Sequence, residues 1–225
     1  MSNKIFLVSK KAIWSDLVYN NLKQDFDCEY FHDDSYKDFL SEYKPDWVFF
    51  FHWSKMVPST IYKNYRCVVL HAGNLPKNRG GTPLQNQILD GIIETRVNAI
   101  TMEKEVDSGD VYCSLPLTLQ GSIMDIWLSI SDRVYRLIKK CVVENPTPQQ
   151  QKGKPQIYKR NKDNSLPLHK YSDLIRVHKF IQMLDGETYP NAFCEIGNFK
   201  LEFSRSKLNG DHIVSDVIIR KIINE

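Results

Sequence analysis

The stretch that most restricts the fold is Asp46-Trp-Val-Phe-Phe-Phe51, in which every residue after the aspartate is apolar. A strand with one wet face alternates apolar and polar side chains. A run without alternation has to be covered on both faces, which in soluble proteins means a parallel sheet between layers of helix. Arg66-Cys-Val-Val-Leu70 repeats the pattern, and Lys4-Ile-Phe-Leu-Val8 opens the chain with another such run. Between these runs the apolar spacing turns helical: Ile13, Leu17, Leu22 and Phe26, then Tyr36, Phe39, Leu40 and Tyr43, stopped before Pro45. Cys28 to Phe31 reads as a further strand. Strands alternating with helices predict an α/β fold with a doubly wound, mainly parallel sheet.

Further along, Pro83 to Ile93 reads as a helix with proline in its first turn, and Val97 to Met102 as a strand. Ile123 to Val143 is the longest helical pattern, with Ile126, Ile130, Val134, Leu137, Ile138 and Cys141 on one face. Asn145-Pro-Thr-Pro148 ends it. Ile157-Tyr158 is a short strand and Asn161 to Pro167 a surface loop. The remainder holds one helix, Leu174 to Leu184, and three strand-like runs, Ala192 to Ile196, Lys200 to Ser204 and Ile213 to Ile219. The expected organisation is a principal domain over 1–157 and a small α+β appendage over 158–225. Tyr189, Phe193, Phe199 and Phe203 are expected to form a small core within that appendage.

Composition removes several classes of function. A length of 225 residues suits one ordinary domain with a small addition. No run approaches the roughly 18 apolar residues of a membrane span, so no membrane association is expected, and the first residues lack the apolar core of a secretory signal. Thirty Lys+Arg against 27 Asp+Glu leave a net charge of +3 with no basic stripe, too weak a field for a dedicated nucleic-acid binder. The five cysteines are scattered and never spaced as CxxC, and the histidines show no ligand spacing. Reduced thiols, a cytoplasmic setting and no metal are therefore the expectation.

Two loops concentrate the polar chemistry. The first follows the Arg66–Leu70 strand: His71-Ala-Gly-Asn-Leu-Pro-Lys-Asn-Arg-Gly-Gly-Thr-Pro-Leu-Gln-Asn86. Ligands of open α/β sheets sit beyond the carboxyl ends of strands, which places His71 at the site. Arg79, with Gly80, Gly81 and Thr82 before a helix start, offers an anion site, though no P-loop signature is present. The second loop, Met102 to Val111, carries Asp107 beside Gly109. A carboxylate and a histidine at adjacent strand ends can form an acid/base pair, with the carboxylate orienting the imidazole.

His71, Leu75-Pro76, Arg79-Gly80-Gly81, Pro83 and Gln85, followed by Val106-Asp-Ser-Gly-Asp110, resemble the N10-formyltetrahydrofolate-dependent formyltransferase family. The resemblance covers residues 45 to 160. Phe51-His-Trp-Ser54, Pro83-Leu-Gln-Asn86 and the tail stretches Ile181 to Asp185, Tyr189 to Phe193 and Glu202 to Arg205 are similar to the bacterial sugar-nucleotide N-formyltransferases of the pseudaminic-pathway type. One departure stands out. The family's catalytic asparagine, two residues before the histidine, falls on Val69, which cannot donate a hydrogen bond.

The resemblance implies an enzyme that transfers a formyl group from N10-formyltetrahydrofolate, as co-substrate, to a UDP- or dTDP-linked amino sugar for a surface glycan such as O-antigen. It implies His71 and Asp107 as catalytic residues, with Asn74 or a backbone N–H covering for Val69. Phe51, His52, Trp53, Ser54, Met56 and Val106 would hold the folate. Lys10, Trp14, Arg79, Gly80, Gly81, Thr82 and Gln85 would hold the sugar nucleotide. Each has a plainer alternative: Trp14 as a half-buried structural residue, Arg79 as a brace of its own loop, and Trp53 and Met56 as ordinary packing. Members of the family of this size are often homodimers, and the sequence leaves the oligomeric state open. A methionyl-tRNA formyltransferase or a formyltetrahydrofolate hydrolase are the competing activities.

Overall fold

The computed structural model describes residues 3–222. In chain order the first elements are β1 (Lys4–Ser9), α1 (Ile13–Asp25), β2 (Asp27–Phe31), α2 (Tyr36–Tyr43), β3 (Trp47–Phe51), α3 (Ser59–Tyr62) and β4 (Cys67–Ala72). They continue with β5 (Arg79–Gly80), α4 (Pro83–Leu89), β6 (Glu94–Thr101), β7 (Val111–Thr118), α5 (Ile123–Glu144) and β8 (Ile157–Tyr158). The last are α6 (Leu174–Leu184), β9 (Ala192–Ile196), β10 (Phe199–Asn209) and β11 (His212–Lys221).

The central sheet has the order β2-β1-β3-β4-β6-β7. β2, β1, β3 and β4 run parallel, and β6 and β7 continue antiparallel, so the sheet is mainly parallel as expected. Its continuous apolar strands are explained by what lies on each face. Ile5, Leu7, Trp47, Phe49, Phe51, Val68 and Leu70 pack into one core with α1, α4, α5 and α6. The intervening Phe6, Val8, Val48 and Phe50 pack on the other side with Tyr36, Leu40 and Ile61 of α2 and α3. Successive side chains of a strand point to opposite faces, so both sets must be apolar.

Three features differ from the sequence expectation. β7 is an edge strand that no apolar alternation announces; its Pro116 is tolerated at an edge, where the missing N–H breaks no second ladder. α4 ends at Leu89, short of Ile93, because the chain turns at Asp90-Gly91, where Gly91 has φ +75°. The tail has no aromatic core of its own. Phe180, Ile181, Met183, Leu184 and Ala192 belong to the main core, Tyr189 and Phe203 pack against it, and Phe199 is half exposed. The tail strands form a separate antiparallel sheet ordered β11-β10-β9. Among the described residues, no helix is long and apolar enough to cross a membrane.

Candidate active site

A cavity of about 700 Å³ opens at the carboxyl ends of β3 and β4. β4 delivers His71 to its floor: Leu70 is the last ladder partner of Phe51 in β3, and His71 lies opposite Asn98 of β6. Asn98 then fixes the exit of the strand, its side-chain amide donating to the carbonyls of His71 (3.2 Å) and Gly73 (2.7 Å). Gln87 of α4 donates to Ala72 O at 3.0 Å and accepts from Thr95 Oγ1 at 2.6 Å, tying the helix to the same strand end.

Asp107 arrives from the β6–β7 turn. Thr101 N donates to Asp110 O and Asp110 N donates to Thr101 Oγ1, closing the turn so tightly that a Cβ on Gly109 would lie 1.8 Å from Thr101 O. Only glycine fits there. The closure holds Asp107 at φ +54° with its carboxylate turned inwards, where Oδ2 meets His71 Nδ1 at 3.3 Å and accepts from Gly80 N at 2.9 Å. Burial by itself would raise this carboxyl. The His71 charge and hydrogen bond, the Gly80 N–H and the Arg79 charge outweigh it and hold the carboxyl below its ordinary value.

The other nitrogen of His71 is also engaged: Nε2 lies 2.8 Å from the Asn78 carbonyl. A carbonyl only accepts, so Nε2 carries a hydrogen. The arrangement therefore presents an oriented imidazole and a carboxylate to the cavity, a pair suited to acid–base chemistry beside a reacting carbonyl.

The wall beside this pair contains Phe51, His52, Trp53, Ser54, Met56 and Val106, together with Val69, while Lys10, Gly80, Gly81, Thr82 and Gln85 also line the cavity. Three residues expected at the site are not brought to it. Asn74 directs its side-chain amide to Glu94 O at 3.3 Å, away from the lining, so it cannot cover for Val69. Trp14 is fully buried, stacked on Trp127 with centroids 4.7 Å apart, because it lies on the face of α1 that packs against α5. Arg79 is taken up by Gln151, whose Oε1 accepts from Nε at 3.1 Å and Nη2 at 2.7 Å.

His52 holds φ +49° on the cavity wall, its ring against both of the stacked indoles. Burial, with Lys10 adding to it, pushes its imidazole down to about 4. The neutral ring accepts from Trp14 Nε1 at 3.3 Å. Sequence reasoning missed Trp127, Arg160, Asn161, Thr188 and Tyr189, which complete the lining from residues remote in the chain. Among the described residues no group of three His, Cys, Asp or Glu side chains is placed to hold a metal ion.

Residues 4–124 match the family model described as formyl transferase, and residues 162–220 match that of the methionyl-tRNA formyltransferase C-terminal domain. A methionyl-tRNA formyltransferase of Malacoplasma penetrans is 25% identical over 207 residues; the match covers 85% of this chain but only 64% of that relative's length. The structure of a methionyl-tRNA formyltransferase from Clostridium thermocellum superposes with a TM-score of 0.91 at 30% identity, covering 97% of this chain and 99% of that one. A 4-N formyltransferase from Francisella tularensis shares the fold over 99% of both chains, with a TM-score of 0.66 at 15% identity.

Proposed function

The chain belongs to the formyl transferase family, and from that premise we propose that it moves a formyl group from N10-formyltetrahydrofolate to the amino group of a nucleotide-linked amino-deoxy sugar, a UDP- or dTDP-linked 4-amino-4,6-dideoxyhexose. The observation that carries the small-acceptor part of this reading is the lining of the cavity. Arg160, Asn161, Thr188 and Tyr189 complete a concave space of about 700 Å³, within the range of sites that enclose a small molecule. In this reading residues 1–157 carry the reacting groups and residues 158–225 shape the acceptor side. The whole-chain likeness to a 4-N formyltransferase supports it.

The apolar wall of Phe51, Trp53, Met56 and Val106 receives the pterin, and Lys10 and Arg160 face the phosphates of the nucleotide. The neutral acceptor amine attacks the formyl carbon, and the carbonyl oxygen takes up negative charge. The amine's proton passes to the His71–Asp107 pair. As the bond from carbon to N10 breaks, a proton is returned to N10, leaving tetrahydrofolate and the formamide. With valine at 69 and Asn74 turned away, the His71 ring is the side chain left to stabilise the oxyanion.

A second reading, methionyl-tRNA as acceptor, is favoured by the match over 162–220 and by the Clostridium thermocellum structure. One experiment separates them: the purified protein is incubated with N10-formyltetrahydrofolate and either the UDP- and dTDP-linked amino sugars or methionyl-tRNA, and products are read by mass spectrometry. Formylated sugar nucleotide is the expected outcome; formylation of methionyl-tRNA alone would overturn the proposal. Asp107→Asn should retain the fold and lose about 10²–10⁴-fold in kcat, the usual worth of a positioned proton acceptor.

A further inference from the structure

The loop of residues 78–80 touches both members of the dyad. The Asn78 carbonyl holds His71 Nε2, and the Gly80 N–H holds Asp107 Oδ2. The residue between them, Arg79, gives both its Nε and Nη2 hydrogens to one acceptor, Gln151 Oε1. The amide group of the same Gln151 points the other way, donating to Asp107 O at 2.9 Å and Gly109 O at 2.7 Å. One side chain therefore clasps the backbone of the Asp107 turn on either side of Ser108 and ties it to the loop that fixes His71. Gln151 is not among the residues lining the cavity.

Gln151 itself is held from behind. Two residues earlier, Gln149 exchanges backbone hydrogen bonds with Val111 in both directions, at 2.8 and 2.9 Å. Five residues later, Gln156 O accepts from Arg79 N at 3.0 Å, the start of the short parallel pairing of β5 with β8. The segment leaving α5 is thus stitched to both loops, and the Gln151 amide sits where they come closest.

We propose that Gln151 is a positioning residue for the His71–Asp107 pair: its amide, bonded to Arg79 on one side and to the Asp107 turn on the other, sets the separation of the two reacting groups. The amide is the one uncharged side-chain group that suits both partners. Its oxygen meets a guanidinium and its nitrogen meets two carbonyls, so neither end can be reversed. A carboxylate would keep the Arg79 half and turn a lone pair towards two carbonyl oxygens.

The inference rests on the formyl-transfer reading for its kinetic consequence but not for its structural one, and the test reads both. In Gln151→Glu, kcat for formyl transfer should fall on the order of 10²-fold, as displacement of a reacting group by about an ångström does, with KM for both substrates unchanged. The ring-nitrogen resonances of labelled His71, assigned by their loss in His71→Asn, should move, because the ring loses its fixed partner. Gln151→Met, which lacks both halves of the clasp without adding charge, should do the same if the glutamate variant fails to fold. Unmoved His71 resonances in a folded variant overturn the proposal, whether or not kcat has fallen. Failure of the wild-type protein to transfer formyl to any amine would remove the functional reading, while the resonances still decide the role of Gln151.

Discussion

His52 shows how a single half-buried side chain couples this fold to pH. Its imidazole is pushed from the usual 6.5 to about 4, chiefly by burial, with the nearby Lys10 charge adding to it. The unfolded chain takes up that proton near pH 6.5, whereas the folded chain resists it until about pH 4. Stability from this group is therefore complete above pH 6.5 and is lost as the pH falls towards 4, by about 3 kcal/mol across the window. His52→Asn should flatten that part of the stability curve, measured as urea midpoints between the two pH values; an unchanged slope would show that the ring is not the sensor. At this scale the meeting of His71 and Asp107 was legible because one ends a strand and the other follows one, each beside polar and turn-forming residues. Arg79 was not. Its partner Gln151 lies 72 positions away, and nothing local distinguishes an arginine that meets a phosphate from one that meets an amide.

Among the elements, β1, β3 and β4 could be read directly, because a strand buried on both faces leaves an apolar run that no exposed helix would carry. β7 could not. It lies at the sheet edge, mostly half-buried, and mixes Ser114 and Pro116 with apolar residues, so neither alternation nor a run appears. α5 was legible at both ends. Ser122 Oγ accepts from Asp125 N at 3.1 Å while Asp125 Oδ2 accepts from Ser122 N at 2.9 Å, a reciprocal cap, and Asn145 ends the helix in the left-handed region. This helix carries Trp127 and Ile130 into the cavity wall. Ser122→Ala should cost about 1 kcal/mol, seen as a lower thermal midpoint with unaltered helical circular dichroism. A neutral result would mean that tertiary packing alone holds the first turn.

The whole molecule is more continuous than its sequence suggests. The division at residue 157 follows a change in pattern, from alternating strands and helices to a run of short strands. Packing does not respect it: α6 and the start of β9 are part of the main core, and β8 is the partner of β5. Sequence patterning records which residues are apolar and with what period, but not which distant element they cover, so a shared core looks like two. A chain ending at residue 157 should therefore expose the seats of Phe180, Ile181 and Met183 and bind a hydrophobic dye or aggregate. Soluble, cooperatively melting protein of that length would refute the continuity.

The stacked pair Trp14 and Trp127, with rings 9° from parallel and centroids 4.7 Å apart, has an optical consequence. Two indoles this close share their ultraviolet excitations, so the folded chain carries a split near-ultraviolet band that neither ring would show alone. Only Trp127 of the two lines the cavity. Any occupant that tilts that ring changes the coupling, and the protein reports its own ligand through colour that the unfolded chain lacks.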